Sequence, residues 1–328
     1  MTDCALHKEI WRTLSDGRPV AVTSHVRLDG DGAGSCLALR HALRRAGVDC
    51  RCVFQPPKPP MFDFLPGMAE CGGSVDDLPE EYHLVIVDCG HPGRVGPISE
   101  EFNGAVDTTN IDHHDTNTRF GDLNYVDPDA SSCGEMMRRL LRSAGQPLTL
   151  EIAECLFTAV VHDTGRFSHQ DTSPEAFTVC GECVAAGVRP DELMQNIFLS
   201  PTPAQVRLQQ KAMATLEFHA DGRIATMAVT ERMFRETGLR PVDTEGFAEI
   251  PISIRGVQAS ALLKEMADCG YIKVSMRSKG EVDVCAVAGE FGGGGHTHAA
   301  GCEISEPIEA VRRAIVEALQ NRLRAHAG

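Results

Sequence analysis

His25-Val26-Arg27-Leu28-Asp29-Gly30-Asp31-Gly32-Ala33-Gly34-Ser35 follows closely on the apolar run Pro19-Val20-Ala21-Val22-Thr23. The apolar run has the length and composition of a buried strand. Behind it, an imidazole, two carboxylates and a hydroxyl sit among small residues that let the backbone turn sharply and approach a ligand. Oxygen and imidazole donors on such a loop are what a hard divalent cation needs. Taken alone, the segment reads equally well as an acidic surface turn, because Asp-Gly pairs are common turn formers.

Three further segments tip that balance. Leu84-Val85-Ile86-Val87-Asp88 is an apolar strand ending in a carboxylate. Ile111-Asp112-His113-His114 closes a β-rich run from Ala105, and Val160-Val161-His162-Asp163-Thr164-Gly165 closes an amphipathic helical stretch. In open parallel sheets, ligands bind beyond the carboxyl ends of the strands. His25, Asp29, Asp31, Asp88, His113 and Asp163 are therefore expected to meet in one cleft. Four buried carboxylates repel one another unless cations intervene.

These segments resemble the four motifs of the DHH phosphoesterases. Phe291-Gly292-Gly293-Gly294-Gly295-His296-Thr297-His298-Ala299-Ala300-Gly301 resembles the glycine-rich signature of the associated substrate-binding DHHA1 domain. The likeness runs from about Val20 to Glu303. Within the family, the length and motif set look most like small bacterial oligoribonucleases that also dephosphorylate pAp (3′-phosphoadenosine 5′-phosphate). The resemblance implies that His25, Asp29 and Asp88 hold one metal ion, and that Asp31, Asp88, His113 and Asp163 hold a second. It places His114 beside the scissile phosphate as the catalytic imidazole. Leu28 stands where the family often has proline, and Gly32 where it often has alanine; neither supplies a ligand.

Two ions roughly 3.5–4 Å apart clamp the attacking and leaving oxygens of an in-line phosphoryl displacement and activate water. His114 is then available to protonate the leaving oxygen, with Asp112 orienting an imidazole from outside the ligand set. A ligand set of oxygen and nitrogen without thiolate suits Mn²⁺ better than zinc, with Mg²⁺ as the alternative. His162 and His169 read as polar residues at a helix end, and His83 as a solvated residue ahead of a strand.

A glycine run alone is weak evidence for a phosphate loop. Here it ends in His-x-His-Ala-Ala-Gly, read as the start of a helical turn, and Gly293, Gly294 and Gly295 are expected to form an anion-binding nest with His296. Asp283–Val287 reads as a strand. Arg277 and Ser278 resemble family phosphate contacts, and arginine suits a bidentate grip on phosphate. Arg255 and Lys264 read as solvated surface charges.

The 328 residues carry 31 basic and 46 acidic side chains, a formal charge of −15. That balance disfavours tracking long duplex nucleic acid, and permits a short substrate held locally. A single tryptophan argues against an extended base-stacking platform. Thirteen cysteines scattered along the chain are expected to be reduced and mostly buried. No apolar run approaches the ~20 residues that span a bilayer. The expectation is a cytoplasmic protein, a homodimer by family resemblance, that does not engage membranes.

Alternating strand and helix patterns predict an α/β fold with a parallel sheet: strands near 19–24, 48–54, 84–88 and 106–111, and a helix over 33–46. Asp129–Ser132 is expected to cap a helix running to Arg142, with Glu135 completing a capping box. The predicted organisation is a DHH metal-binding domain over 1–200, a linker helix within 201–219 and a smaller α/β DHHA1 domain over 220–328, with the active site in the cleft between domains.

The leading function is a phosphoesterase acting on short RNA and pAp through two metals. The alternatives are a cyclic dinucleotide phosphodiesterase, a family II-type inorganic pyrophosphatase, a RecJ-type exonuclease and a non-catalytic nucleotide-binding regulator. The absence of sensor segments, of a Lys/Arg-rich C-terminal pocket and of room for further nucleic-acid-binding domains ranks the other three enzymes lower.

Overall fold

The structure is a computed structural model that describes residues 3–74, 78, 80–169, 171–199, 201–244 and 246–325. The chain divides into two compact units, Met1–Leu199 and Ser200–Gly328.

The first unit runs α1 (Asp3–Leu14), β1 (Val20–Thr23), α2 (Gly30–Arg45), β2 (Cys50–Cys52), β3 (Tyr82–Val87), β4 (Ala105–Asp112), β5 (Leu123–Val126), α3 (Cys133–Ser143), α4 (Leu150–Asp163), α5 (Pro174–Ala185) and α6 (Pro190–Phe198). Its five strands are all parallel, in the order β2-β1-β3-β4-β5. The order reverses between β1 and β3, and that switch point is where open α/β sheets bind ligands. β1 and β3 are buried along their whole length, as continuous apolar strands covered on both faces are.

The small-residue segment after β1 is helix rather than loop. Asp29 is the N-cap of α2, its carboxylate accepting the Gly32 N–H at 3.0 Å, so the helix starts at Gly30 instead of near 33. The glycines serve packing. A Cβ at Gly34 would stand 2.3 Å from the Cys155 carbonyl oxygen of α4, so this residue allows α2 and α4 to cross backbone to backbone. That crossing fixes Asp31, in the first turn of α2, relative to Asp163 at the end of α4. The strand expected over 48–54 shortens to Cys50–Cys52, followed by an isolated bridge from Val53 to Gly72.

α3 begins at Cys133 with Ser132 as its cap. The capping box is only half made. Ser132 Oγ accepts the Glu135 N–H, but the buried Glu135 carboxylate accepts from the Ser173 hydroxyl at 2.6 Å and pairs with Arg139. A partner from a neighbouring segment outcompetes the local cap.

The second unit runs α7 (Pro203–Met213), β6 (Glu217–His219), β7 (Ile224–Val229), α8 (Glu231–Thr237), α9 (Glu249–Ser253), β8 (Ala259–Met266), β9 (Tyr271–Ser278), α10 (Val284–Glu290), β10 (Gly294–His296), β11 (Ala299–Ile304) and α11 (Ile308–Ala325). Its six strands form a mixed sheet, β10-β11-β9-β8-β7-β6, in which only β7 and β8 run parallel. The linker helix expected within 201–219 ends at Met213, because 217–219 pairs with β7.

Two assignments near the C-terminus are corrected. Residues 284–287 are helix, not strand: the Asp283 carboxylate caps the Ala286 N–H at 2.9 Å and commits the next residues to a helical turn. The His-x-His-Ala-Ala-Gly segment is a β-hairpin, β10–β11, where strand pairing overrides the helical preference of alanine.

Among the described residues no helix is long and apolar enough to cross a membrane, and no cysteine is in a disulfide. Ten of the thirteen cysteines are buried, including Cys180 and Cys183 within α5.

Candidate metal centre

Asp88 ends β3 beside the switch point. It is almost fully buried and holds φ of +56°, a left-handed backbone that a non-glycine residue adopts at a cost of about 1–3 kcal/mol and that clusters at functional sites. Its amide donates to the Ile111 carbonyl at 2.9 Å, tying the turn to β4.

Two imidazoles approach the Asp88 carboxylate. His25 Nε2 lies 3.3 Å from Asp88 Oδ2 and 3.5 Å from Asp29 Oδ2. His113 Nε2 lies 3.7 Å from Asp88 Oδ1, 3.8 Å from Asp31 Oδ2 and 3.2 Å from Asp163 Oδ2. The other nitrogen of each ring is turned to backbone: His25 Nδ1 donates to the Val26 carbonyl at 2.6 Å and His113 Nδ1 to the Ala130 carbonyl at 3.1 Å. Those contacts orient each ring so that Nε2 points at the carboxylates, as the backbone-anchored rings of metal-ligating histidines are oriented. All six residues expected to meet do so around Asp88.

Asp31 is held by three donors. Cys133 N–H donates to Oδ2 at 2.6 Å, Gly134 N–H to Oδ1 at 2.9 Å and the Ser35 hydroxyl to Oδ1 at 3.1 Å. The first two are orphan amides of the α3 N-terminus, which favours an anion there. Burial and the Asp88 and Asp163 charges nevertheless push the Asp31 pKa well above the carboxylate range. Burial raises Asp163 to about 6, against His113, with Asp88 and Asp29 adding to the rise. Burial opposes charge on the imidazoles, yet Asp29 and Asp88 hold His25 well above its ordinary value. Asp163, Asp31 and Asp88 together raise His113 to about 10. Such a crowded set of buried carboxylates, stabilised by borrowed protons, fits divalent cations as the missing positive charge. The ligand atoms of His25, Asp29 and Asp88 lie within 4.8 Å of one another, as do those of Asp31, Asp88, His113 and Cys133.

His114 stands next to this set. Its Nδ1 donates to Asp112 Oδ1 at 2.7 Å and lies 3.6 Å from Asp88 Oδ1. Burial would raise the Asp112 pKa, but the His114 and Asn117 contacts hold it below the usual range. Asn117 Nδ2 donates to Asp112 Oδ2 at 2.5 Å and to Asn110 Oδ1 at 2.8 Å, and Asn110 is anchored on the Ile86 and Cys89 carbonyls. Asn110, Asn117 and Cys133 were not singled out from the sequence. The one available signal was Asn110 inside the β-rich run that closes on Asp112-His113-His114.

Of the other histidines, His83 differs from its sequence reading, whereas His162 lies in the last turn of α4 as expected. His83 is buried, its ring bridging Asp107 at 2.9 Å and Asp16 at 3.1 Å, because β3 carries it into the sheet. His162 packs against the backbone of Gly30, where a Cβ would meet its ring carbons at about 2.5 Å, and stacks on Phe198. His169 Nδ1 donates to the Asp163 carbonyl at 2.8 Å.

In the second unit, register sets Arg277 opposite Ala299 and Ala299 opposite His296 on adjacent strands. Laterally paired residues share a sheet face, so Arg277 and His296 flank Ala299 on one face. Arg277 Nε pairs with Glu249 at 2.7 Å. The Ser278 hydroxyl donates to the Val282 carbonyl at 2.5 Å and meets His298 Nδ1 at 3.0 Å. The expected nest is corrected. Gly293 N–H donates to the Ala288 carbonyl at 2.8 Å, and Gly294 and Gly295 pair with Gly301 and Ala300. A Cβ at Gly293 would stand 2.1 Å from the Gly301 carbonyl oxygen, so the hairpin packing demands glycine there. Lys264 is half-buried rather than solvated, donating to the Thr244 hydroxyl at 2.6 Å, while Arg255 is exposed.

Carboxylates and imidazoles gathered at the switch point of a 2-1-3-4-5 sheet describe a metal-binding α/β protein. Residues 19–160 match the DHH family, N-terminal domain, and residues 222–325 match the DHHA1 domain. The chain is 34% identical to the bifunctional oligoribonuclease and PAP phosphatase NrnA of Thermus thermophilus over 92% of this chain and 90% of that protein. It is 28% identical to the protein of the same name from Bacillus subtilis over 93% and 95%. A crystal structure of an exopolyphosphatase-related protein from Bacteroides fragilis superposes with a TM-score of 0.87 at 25% identity, covering 97% of this chain and 96% of that one. The chain belongs to the DHH family of phosphoesterases, with a C-terminal DHHA1 domain.

Proposed function

We propose that this protein hydrolyses short RNA oligonucleotides to mononucleotides and dephosphorylates pAp to AMP, with two divalent ions, Mn²⁺ in first place and Mg²⁺ as the alternative. The observation that carries the reading is the approach of His25 Nε2 to one oxygen of Asp88 and of His113 Nε2 to the other, which makes Asp88 the carboxylate common to two ligand sets. The named activities of the Thermus and Bacillus relatives supply the substrate classes.

In this reading His25, Asp29 and Asp88 hold one ion, and Asp31, Asp88, His113 and Asp163 the other. When bound, the pair supplies Lewis acidity and an activated water. His114 protonates the leaving oxygen. Its Nδ1–H is committed to Asp112, so Nε2 is the nitrogen that carries the transferred proton. Asn117 and Asn110 hold Asp112 in place and keep that imidazole aimed. Arg277 and His296 contribute the contacts to substrate phosphate from the DHHA1 domain, Ser278 supports the strand that carries Arg277, and Gly293–Gly295 allow the tight hairpin that carries His296. A net charge of −15 suits a short ligand gripped by local donors. The reading includes a cytoplasmic homodimer, which sedimentation of the purified chain checks.

A product-resolved assay in Mn²⁺ tests it, with pAp, RNA from dinucleotide to pentanucleotide, a cyclic dinucleotide and pyrophosphate run in parallel. Mononucleotides from the short RNAs together with AMP from pAp are the expected products. Turnover confined to pyrophosphate or the cyclic dinucleotide would overturn the substrate assignment.

A further inference from the structure

The expected preference for Mn²⁺ over zinc assumed a ligand set without sulfur. The fold adds sulfur to it. Cys133 is the first residue of α3 and is fully buried, and its own amide donates to Asp31 Oδ2. Its Sγ lies within 4.8 Å of ligand atoms of Asp31, Asp88 and His113, and these three lie equally close to one another. Donors on a single tetrahedral ion, with bond lengths of about 2.0–2.3 Å, stand roughly 3.3–3.8 Å apart, so side chains now within 4.8 Å of one another would close by up to about 1.5 Å on a metal. Among the described residues, no other cysteine shares a group of this kind.

A buried cysteine is most often an inert apolar filler. Cys133 differs because the backbone contact that fixes Asp31 also fixes the thiol beside it. Its S–H donates to the Ile111 carbonyl at 3.6 Å.

We propose that Cys133 is a further ligand at the Asp31–Asp88–His113 position and gives that position a higher relative affinity for thiophilic ions such as Co²⁺ or Cd²⁺ than the sulfur-free position has. The His25–Asp29–Asp88 position keeps its hard, sulfur-free set, so the two positions differ in metal preference. Ligation replaces the S–H bond by a metal–sulfur bond, and the proton passes to solvent. The inference rests on the two-ion reading above and adds the identity of the metal that one position favours.

The test uses full-length protein stripped with a chelator and titrated with Co²⁺ alone, read by near-ultraviolet absorption. Wild type is expected to develop a thiolate-to-cobalt charge-transfer band that Cys133→Ser and Cys133→Ala both lack. In competition against Mn²⁺, Cd²⁺ affinity is expected to fall at least about 10-fold in both variants, since even loss of an outer hydrogen-bond partner of a ligand costs about 10–100-fold. Mn²⁺ affinity and far-ultraviolet circular dichroism should be preserved, which separates lost ligation from lost folding. Co²⁺ binding by wild type without the band, or a band that survives both substitutions, would overturn the proposal. RNA and pAp turnover measured in the same preparations separates this result from the substrate reading. Activity with no sulfur band sinks the ligand alone, whereas a sulfur band with no activity sinks the substrate assignment alone.

Discussion

Asp112 and His114, two residues apart at the end of β4, are joined by a 2.7 Å hydrogen bond from the imidazole Nδ1 to a carboxylate oxygen that is itself completely buried. In the proposed mechanism the bond leaves Nε2 of His114 as the nitrogen that carries the transferred proton. Asp112→Asn offers an amide that can meet Nδ1 in the wrong sense. It is expected to lower kcat by about 100-fold or more, because an asparagine in a comparable Asp–His pair lowers kcat by about 10⁴. KM and Mn²⁺ affinity should change little. A steady-state assay beside a metal titration checks this, and an unchanged kcat would remove His114 from the proton transfer.

Removing the carboxylate that both imidazoles approach should be more severe. Asp88→Ala is expected to abolish turnover and to reduce bound metal from two ions to one or none, with circular dichroism unchanged. Elemental analysis of the dialysed protein reads the stoichiometry directly. Retained activity would contradict the shared role of Asp88.

The metal-free protein should have a distinctive pH profile. His113 is raised to about 10, and His25 well above its ordinary value, as their neighbouring carboxylates overcome the effect of burial. A group whose folded pKa exceeds its unfolded value contributes fully below the unfolded pKa, near 6.5, and loses that contribution as pH rises through the folded pKa. The Tm of chelator-treated protein is therefore expected to fall between about pH 7 and pH 10. Divalent metal should flatten the slope, since it supplies the charge that imidazolium supplies in its absence, and at 100 times Kd should stabilise the fold by about 2.7 kcal/mol. Scanning calorimetry with and without Mn²⁺ checks both statements.

Gly34→Ala probes the crossing that positions the site. A helix normally gains from this exchange, but here the new Cβ would meet the Cys155 carbonyl at 2.3 Å. Forced separation of packed elements costs about 1–3 kcal/mol, so a net destabilisation is expected in urea unfolding, together with weaker metal binding as α2 shifts against α4.

Much of the candidate centre was legible in the sequence because most of its proposed ligands fall at or beside the end of an element. Asp88 follows an apolar strand, Asp112-His113-His114 closes a β-rich run, and Asp163 ends a helix, and strand ends converge in a parallel sheet whatever the loops between them do. What could not be read were contacts made by backbone. Asp29 acts as a helix cap, so a glycine-rich segment that looked like a loop is the first turn of α2. Cys133 reaches the site only because the amides of α3 grip Asp31, a pairing across about a hundred residues. In the second unit local patterns misled twice, because the Asp283 cap and the β10–β11 pairing outweighed side-chain propensity over short segments.

The most direct test of the account is electron paramagnetic resonance of chelator-stripped protein reloaded with two equivalents of Mn²⁺. If one carboxylate is shared by two ions, wild type should give the spectrum of an exchange-coupled Mn²⁺ pair, and Asp88→Ala should give only isolated Mn²⁺. Isolated Mn²⁺ in fully loaded wild type would contradict the shared-carboxylate centre from which the proposed chemistry follows.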